Sequence, residues 1–254
     1  MDIIQAIIIG IIEGFTEFLP ISSTGHMIVA SEFMGIERSA LLSAYEVIIQ
    51  FAAILAVMLI YKEKITFKKV DLWMKLLVAF LPLAIVGFIF KDVIKELFTV
   101  HTVAWMFIIG GMVFLIVEYF YEEKEYHVKE VEKVSYKQAW WVGFAQIFSL
   151  VPGTSRAGAT IIGGLLTGLD RKTSMEFSFL LAIPVMAAVS GYDLLKHYQD
   201  FADANWIAFV VGFVTAFIVA YITIKLFLAF IQRFTFVAFG IYRIIFGIIL
   251  LMVI

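Results

Sequence analysis

Glu13 and Glu17 stand four residues apart near the start of a 254-residue chain, and at that spacing both carboxylates project from one face of a helix. Pro20-Ile21-Ser22-Ser23-Thr24-Gly25-His26 follows them, with hydroxyls just ahead of an imidazole. A serine needs a neighbouring base to attack phosphorus, and histidine is the usual one. A second segment, Pro152-Gly153-Thr154-Ser155-Arg156-Ala157-Gly158-Ala159-Thr160, carries a guanidinium whose planar fork matches phosphate oxygens. It opens an apolar half-helix, and a helix N-terminus is a ready anion site. Thr154, Ser155 and Thr160 can donate further hydrogen bonds there. Two carboxylates suit a hard divalent cation, Mg²⁺ or Ca²⁺. Together these are the parts of a phosphoryl-transfer site: a hydroxyl of Ser22 or Ser23 as nucleophile, His26 as base, Glu13 and Glu17 as metal ligands, Arg156 as charge clamp. Taken singly, each has a plainer role. The hydroxyls can cap helices, His26 can be a hydrogen-bonded structural residue, and Arg156 can pair with the glutamates and merely lock the two segments together.

The chain that must position these groups is too apolar for water. Hydrophobic residues make up 63%, with 26 Phe, and charged residues only 16%, against roughly 25% in soluble proteins. The mean hydropathy is +1.00. A soluble fold could not cover its surface with this mixture, so the expectation is an all-α integral membrane protein forming one domain over 1–254. The net charge of −2 offers no basic excess for nucleic acid. With no Cys, disulfides, thiolate zinc sites and cysteine nucleophiles are excluded. Met1-Asp2-Ile3-Ile4 lacks the basic start of a conventional signal peptide.

A crossing helix needs about 20 apolar residues. Six stretches qualify as full spans: 41–61, 72–90, 101–121, 174–195, 206–231 and 236–254. Two regions read instead as half-helix, polar turn, half-helix: 3–19 running on to about 33, and 138–151 running on to 169. Irregular backbone at membrane depth survives only inside protein or beside a wet cavity, so these are expected to be re-entrant hairpins. If each returns to the side it left, the basic residues sort into two sets. Lys62, Lys64, Lys68, Lys69, Lys124, Lys129, Lys133, Lys137, Arg171, Lys172 and Arg233 fall on one side; Arg38, Lys91, Lys95 and Lys196 fall on the other. Basic residues favour the cytoplasmic side, which places both termini outside.

The two broken regions resemble each other. Glu13–Pro20 parallels Gln146–Pro152 with a one-residue gap, and Ser22-Ser23 then falls opposite Thr154-Ser155. A hairpin and three spans occur in each half. An odd number of crossings inverts the second half in the membrane, giving an inverted-topology repeat of 1–121 and 138–254 joined by a charged, solvated cytoplasmic loop, 122–137. Such repeats place a site near the midplane where the broken helices meet. Glu46 and Gln50, with Glu176 at the related position, can line that cavity or brace it. Arg243, deep in the last span, is expected to pair with a carboxylate of the bundle.

Glu13-Gly-Phe-Thr-Glu17-Phe-Leu-Pro-Ile-Ser22-Ser23-Thr-Gly-His26 and Pro152-Gly153-Thr154-Ser155-Arg156-Ala-Gly-Ala-Thr160 closely resemble the two signature segments of the undecaprenyl-diphosphatase family, the bacitracin-resistance type. Glu176-Phe-Ser-Phe-Leu-Leu-Ala-Ile-Pro184 and Tyr242-Arg243 also look like family segments, so the resemblance covers essentially the whole chain. Ala157 stands where the family often carries Ser, which removes one phosphate donor. The resemblance implies hydrolysis of undecaprenyl diphosphate to the monophosphate that carries cell-wall precursors. It also implies a divalent cation and a site opening to the outer side of the bacterial cytoplasmic membrane. It makes Glu13 and Glu17 the acidic pair, Ser23 and His26 the catalytic hydroxyl and imidazole, and Arg156 the diphosphate clamp. Ser22, Gly153, Thr154, Ser155 and Thr160 are supporting contacts. Serine or histidine as nucleophile stays open in the family; Ser23 is the expectation here, with His26 its base. The oligomeric state is open, a homodimer among the options. A lipid flippase or secondary transporter shares the inverted repeat and polar midplane, but needs no nucleophile beside a base. A purely structural subunit leaves the polar midplane residues unexplained.

Overall fold

The computed structural model describes residues 1–37, 39–197 and 205–253, so Arg38 and the last residue of the final expected span lie outside it. Among the described residues the chain is helical, with one isolated bridge between Val128 and Leu169 and no strand. In order, the helices are α1 (Ile3–Thr16), α2 (Ser23–Phe33), α3 (Ala40–Ile60), α4 (Val70–Ile89), α5 (Lys91–Glu96), α6 (Val100–Phe120), α7 (Tyr136–Gln146), α8 (Arg156–Leu166), α9 (Arg171–His197), α10 (Trp206–Ile231) and α11 (Val237–Val253). Short 3₁₀ turns occupy Val131–Lys133 and Ile147–Leu150.

Five of the described helices are long and apolar enough to cross a membrane: α3, α4, α6, α9 and α10. The sixth expected span, α11, has 17 residues, at the short end of the range of about 17–25 that a crossing requires. The chain is thus a multi-pass membrane protein. Both broken regions are present as two short helices separated by non-helical backbone, at 17–22 and around 151–155, and each pair packs on itself, α1 on α2 and α7 on α8.

Small residues set how these pairs seat in the bundle. A Cβ on Gly10 of α1 would meet the Gly212 carbonyl of α10 at 2.7 Å, and one on Gly14 would meet the Ala216 carbonyl at 2.6 Å. The contact advances in the same direction along both chains, so α1 and α10 run parallel. Gly143 of α7 rests in the same way on the Ala79 backbone of α4. The residue spacing from Gly10 to Gly143 equals that from Ala79 to Gly212. It equals that from Ser22 to Ser155 as well, the two non-glycine residues with positive φ. That register pairs Ser22 with Ser155, one position away from the pairing of Ser22 with Thr154 expected from sequence.

One end of the bundle is held by charge. Arg171 makes a two-pronged contact to Glu118 (2.5 and 3.1 Å), whose Oε1 also accepts the Phe236 amide at 3.0 Å. Lys64 pairs with Glu176 at 2.7 Å, and Lys69 with Glu132 at 2.8 Å. The connection 122–137, expected to be solvated, is docked over part of its length. Val131 and Val134 are fully buried, the Glu132 carbonyl accepts from the buried Lys75 at 2.9 Å, and Val128 exchanges backbone bonds with Gly168 and Asp170. Valines spaced three apart inside the charge run, Val128, Val131 and Val134, pack inward, and the turn at Val131–Lys133 lies against α4 and α9, which a solvated loop would not do.

Candidate active site

Both breaks lead to one place. α1 ends at Thr16, and the next residue, Glu17, is its C-cap. The chain turns through Pro20 and restarts at Ser22, whose φ of 70° lies in the left-handed region and whose hydroxyl caps α2 by accepting the Gly25 amide at 3.3 Å. Ser155 does the same for α8, with φ 76° and the Gly158 amide at 3.0 Å. The first amides of both helices have no intrahelical acceptor, and both positive dipole ends border the same space.

Glu17 stands at the centre. Its Oε2 accepts the Ser23 hydroxyl at 2.5 Å and its Oε1 accepts Arg156 Nη2 at 2.7 Å. Arg156 Nη1 donates to the Ser178 carbonyl of α9 at 2.9 Å, and its guanidinium lies 5.8 Å over the Phe18 ring. Thr160 shares a 2.7 Å bond with the Ser178 hydroxyl. Ser178 is thus a site-building residue that sequence reading missed; a serine two residues after Glu176 in an otherwise apolar stretch was its signal. Glu17, Ser23 and Arg156 border a cavity of about 210 Å³, lined also by Thr24, Gln50, Phe98, Ser149 and Val189.

Glu13 is fully buried, and among the described residues no donor reaches either carboxylate oxygen apart from the neighbouring Glu17 carboxyl. It lies within electrostatic reach of Glu17, Glu46 and Arg156. Gln146, at the repeat-related position, is likewise fully buried with its amide atoms unpaired. Among the described residues no set of three or more His, Asp or Glu side chains is gathered to cage a metal ion. An orphaned buried carboxylate beside a second one fits a hard cation that takes its remaining ligands from phosphate and water, as Mg²⁺ commonly does.

Other expected residues take different positions. Among the described contacts His26 makes no hydrogen bond to Ser23. Its Nδ1 lies 2.7 Å from the Ser22 carbonyl and its Nε2 2.7 Å from the Tyr242 hydroxyl. The ring stacks on Phe246 and lines a separate cleft between α1, α2 and α11. Both nitrogens are thereby engaged, and the Ser23 proton is directed to Glu17 instead. Ser22 and Ser155 spend their hydroxyls as caps. Gly153, with φ 91°, offers its carbonyl to Arg243 at 2.9 Å. Thr154 does so too at 2.9 Å, while its own hydroxyl is buried without a partner. Arg243 pairs with no carboxylate among its described contacts. Fully buried, it donates to the carbonyls of Pro20, Gly153, Thr154 and Met106, each at 2.9 Å. Three carbonyls from the two breaks and one from α6 replace the expected ion pair, and Arg243 ties the two breaks together. Glu176 belongs to the ionic cluster with Lys64 and not to the cavity.

The family described as "Bacitracin resistance protein BacA" matches residues 6–249. A Sulfurovum protein called undecaprenyl-diphosphatase is 83% identical over 253 residues, covering 100% of both chains. Relatives of the same name from Sulfurimonas denitrificans and Methanococcus aeolicus are 66% and 52% identical, each covering at least 98% of both chains.

Proposed function

The chain belongs to the bacitracin resistance protein BacA family, and from that premise and the Glu17 bridge we propose that it removes the terminal phosphate of undecaprenyl diphosphate. The carrying observation is the single carboxylate that receives the Ser23 hydroxyl at 2.5 Å on one oxygen and Arg156 at 2.7 Å on the other. Ser23 Oγ attacks the terminal phosphorus and passes its proton to Glu17. The bond to the bridging oxygen breaks, and undecaprenyl phosphate leaves with that proton. Water then attacks the phosphoserine as Glu17 takes its proton; the P–Oγ bond breaks, Glu17 returns that proton to Ser23 Oγ, and inorganic phosphate leaves.

Arg156, the first amides of α2 and α8, and their dipoles neutralise the phosphoryl oxygens. Glu13, with Glu17 beside it, would hold Mg²⁺ or Ca²⁺; when bound, the ion spreads the negative charge of the diphosphate. Thr160 acts through Ser178; the Thr154 hydroxyl, buried and unspent, borders a separate apolar cavity with Met106 and Phe114 and not the one that Ser23 and Arg156 line.

The equal spacing that relates Gly10 to Gly143, Ala79 to Gly212 and Ser22 to Ser155 supports an inverted repeat of 1–121 and 138–254. In that reading six spans, α11 included, surround two re-entrant hairpins. Phe98 and Val189 border the cavity, whereas Lys64, Lys69 and Arg171 gather toward the opposite ends of the spans. Basic residues favour the cytoplasm, so the cavity opens outward.

The test is phosphate release from a C55 or C15 prenyl diphosphate by the detergent-purified chain. Release by wild type and its collapse in Ser23→Ala, Glu17→Gln and Arg156→Ala are expected. A folded, lipid-supplemented sample that releases none contradicts the reading.

A further inference from the structure

We propose that His26 is a positioning residue for Ser23, acting through the Ser22 carbonyl, and is not the base that activates it; this rests on the Ser23–Glu17 reading above. The Ser22 carbonyl can only accept, so the 2.7 Å contact requires the proton on His26 Nδ1. In a neutral ring Nε2 is then an acceptor, and Tyr242, 2.7 Å away, donates to it. Both nitrogens are committed, and Ser23 Oγ is bonded elsewhere, to Glu17 at 2.5 Å.

Ring packing fixes this arrangement. Phe246 and Tyr242 lie nearly parallel to the imidazole, with centroids at 5.0 and 5.8 Å, and Phe107 meets it edge-on at 5.2 Å. The ring borders a largely apolar cleft of about 540 Å³ that includes Phe15, Leu19 and Phe239 but not Ser23. Ser23, Glu17 and Arg156 border the other cavity, which does not include His26.

What the imidazole holds is the turn before the nucleophile. Ser22 has φ 70°, a conformation that a non-glycine residue keeps only where its surroundings over-determine it. Its carbonyl receives the His26 amide at 3.2 Å as well as Nδ1. The second break is anchored by two side-chain bonds, both from Arg243, to the Gly153 and Thr154 carbonyls. The first has only one from Arg243, to Pro20. His26 supplies the other, and so fixes the residue next to Ser23.

Isosteric substitution separates the two roles, because an Asn amide can reproduce the Nδ1–H donor and a Gln amide reaches toward Nε2. The experiment measures kcat against pH for C15 prenyl diphosphate with wild type, His26→Asn, His26→Gln and His26→Ala. Thermal melting in detergent reports whether each variant is folded. His26→Asn is expected to stay within about tenfold of wild type with an unchanged pH profile, while Gln and Ala fall well below it. A base would instead be worth about 10²–10⁴, lost equally in all three variants together with its limb of the profile; that result overturns the proposal. It is also overturned if folded Asn and Gln variants behave alike. A wild type that releases no phosphate would fail the diphosphatase reading itself, a distinct outcome.

Discussion

Ser23 and Glu17 come from opposite sides of the first break, yet the serine hydroxyl donates to the glutamate at 2.5 Å. The turn through Pro20 brings the N-terminus of α2 back onto the end of α1. The hydroxyl and the carboxylate that accepts it therefore share one broken region, while the Arg156 guanidinium on the other carboxylate oxygen comes from the second.

Removing either member of this pair should cost nearly as much as removing both. Ser23→Ala and Glu17→Gln are each expected to lower kcat by about 10³ or more, and the double variant by little beyond the larger single effect, since groups acting as a unit are non-additive. Initial rates of phosphate release across this cycle check it; fully additive losses would separate the two residues.

Arg156→Lys keeps the charge but loses the planar fork that binds Glu17 and the Ser178 carbonyl together. A drop of about 10²–10³ in kcat is expected, the usual consequence of losing one transition-state donor. Steady-state kinetics would show it as a fall in kcat rather than a rise in KM alone.

Chelation should reduce phosphate release, with Mg²⁺ or Ca²⁺ restoring it. Glu13→Gln should raise the concentration of cation needed for half-maximal rate. A rate in Glu13→Gln that responds to cation as wild type does would remove Glu13 from the ligand set.

Much of the site was legible because chemistry at membrane depth is rare. Glu13, Glu17, Ser23 and Arg156 stood out against apolar runs, and the breaks were marked by Pro20 and Pro152. Arg243 was legible as buried but not in its role, because its acceptors are backbone carbonyls that no side-chain pattern announces. The partners of His26 were hidden for a related reason: proximity in sequence to Ser23 says nothing of Tyr242, far along the chain, whose hydroxyl lies 2.7 Å from its outer nitrogen. The docking of 122–137 was hidden because two valines are a faint signal within a charge run.

Arg243 should be needed for the fold of the site more than for the chemistry. Arg243→Ala strands the carbonyls of Pro20, Gly153, Thr154 and Met106, each costing about 1–3 kcal/mol if left unsatisfied and dry. A marked fall in detergent melting temperature is expected, with Arg243→Lys intermediate; an unchanged melting temperature contradicts the clamp.

Glu132 provides a pH-dependent contact outside the spans. Burial pushes its carboxyl upward, but the Lys69 hydrogen bond and the nearby Lys64 and Lys69 charges outweigh this and hold it below its ordinary value of 4.5. Its contribution is therefore complete above that value and lost as pH falls through the lower folded one. Glu132→Gln should copy the acid state at neutral pH and speed hydrogen exchange at Val131 and Val134; unchanged exchange would argue against this contact.

The most direct test of the account is a rapid-quench experiment with a prenyl diphosphate labelled at the terminal phosphorus. The label is predicted to appear covalently on the peptide containing Ser23, in an acid-stable ester, and to be absent from Ser23→Ala, which should also release no phosphate. An acid-labile label on His26, or a Ser23→Ala variant that hydrolyses substrate near the wild-type rate, would contradict it.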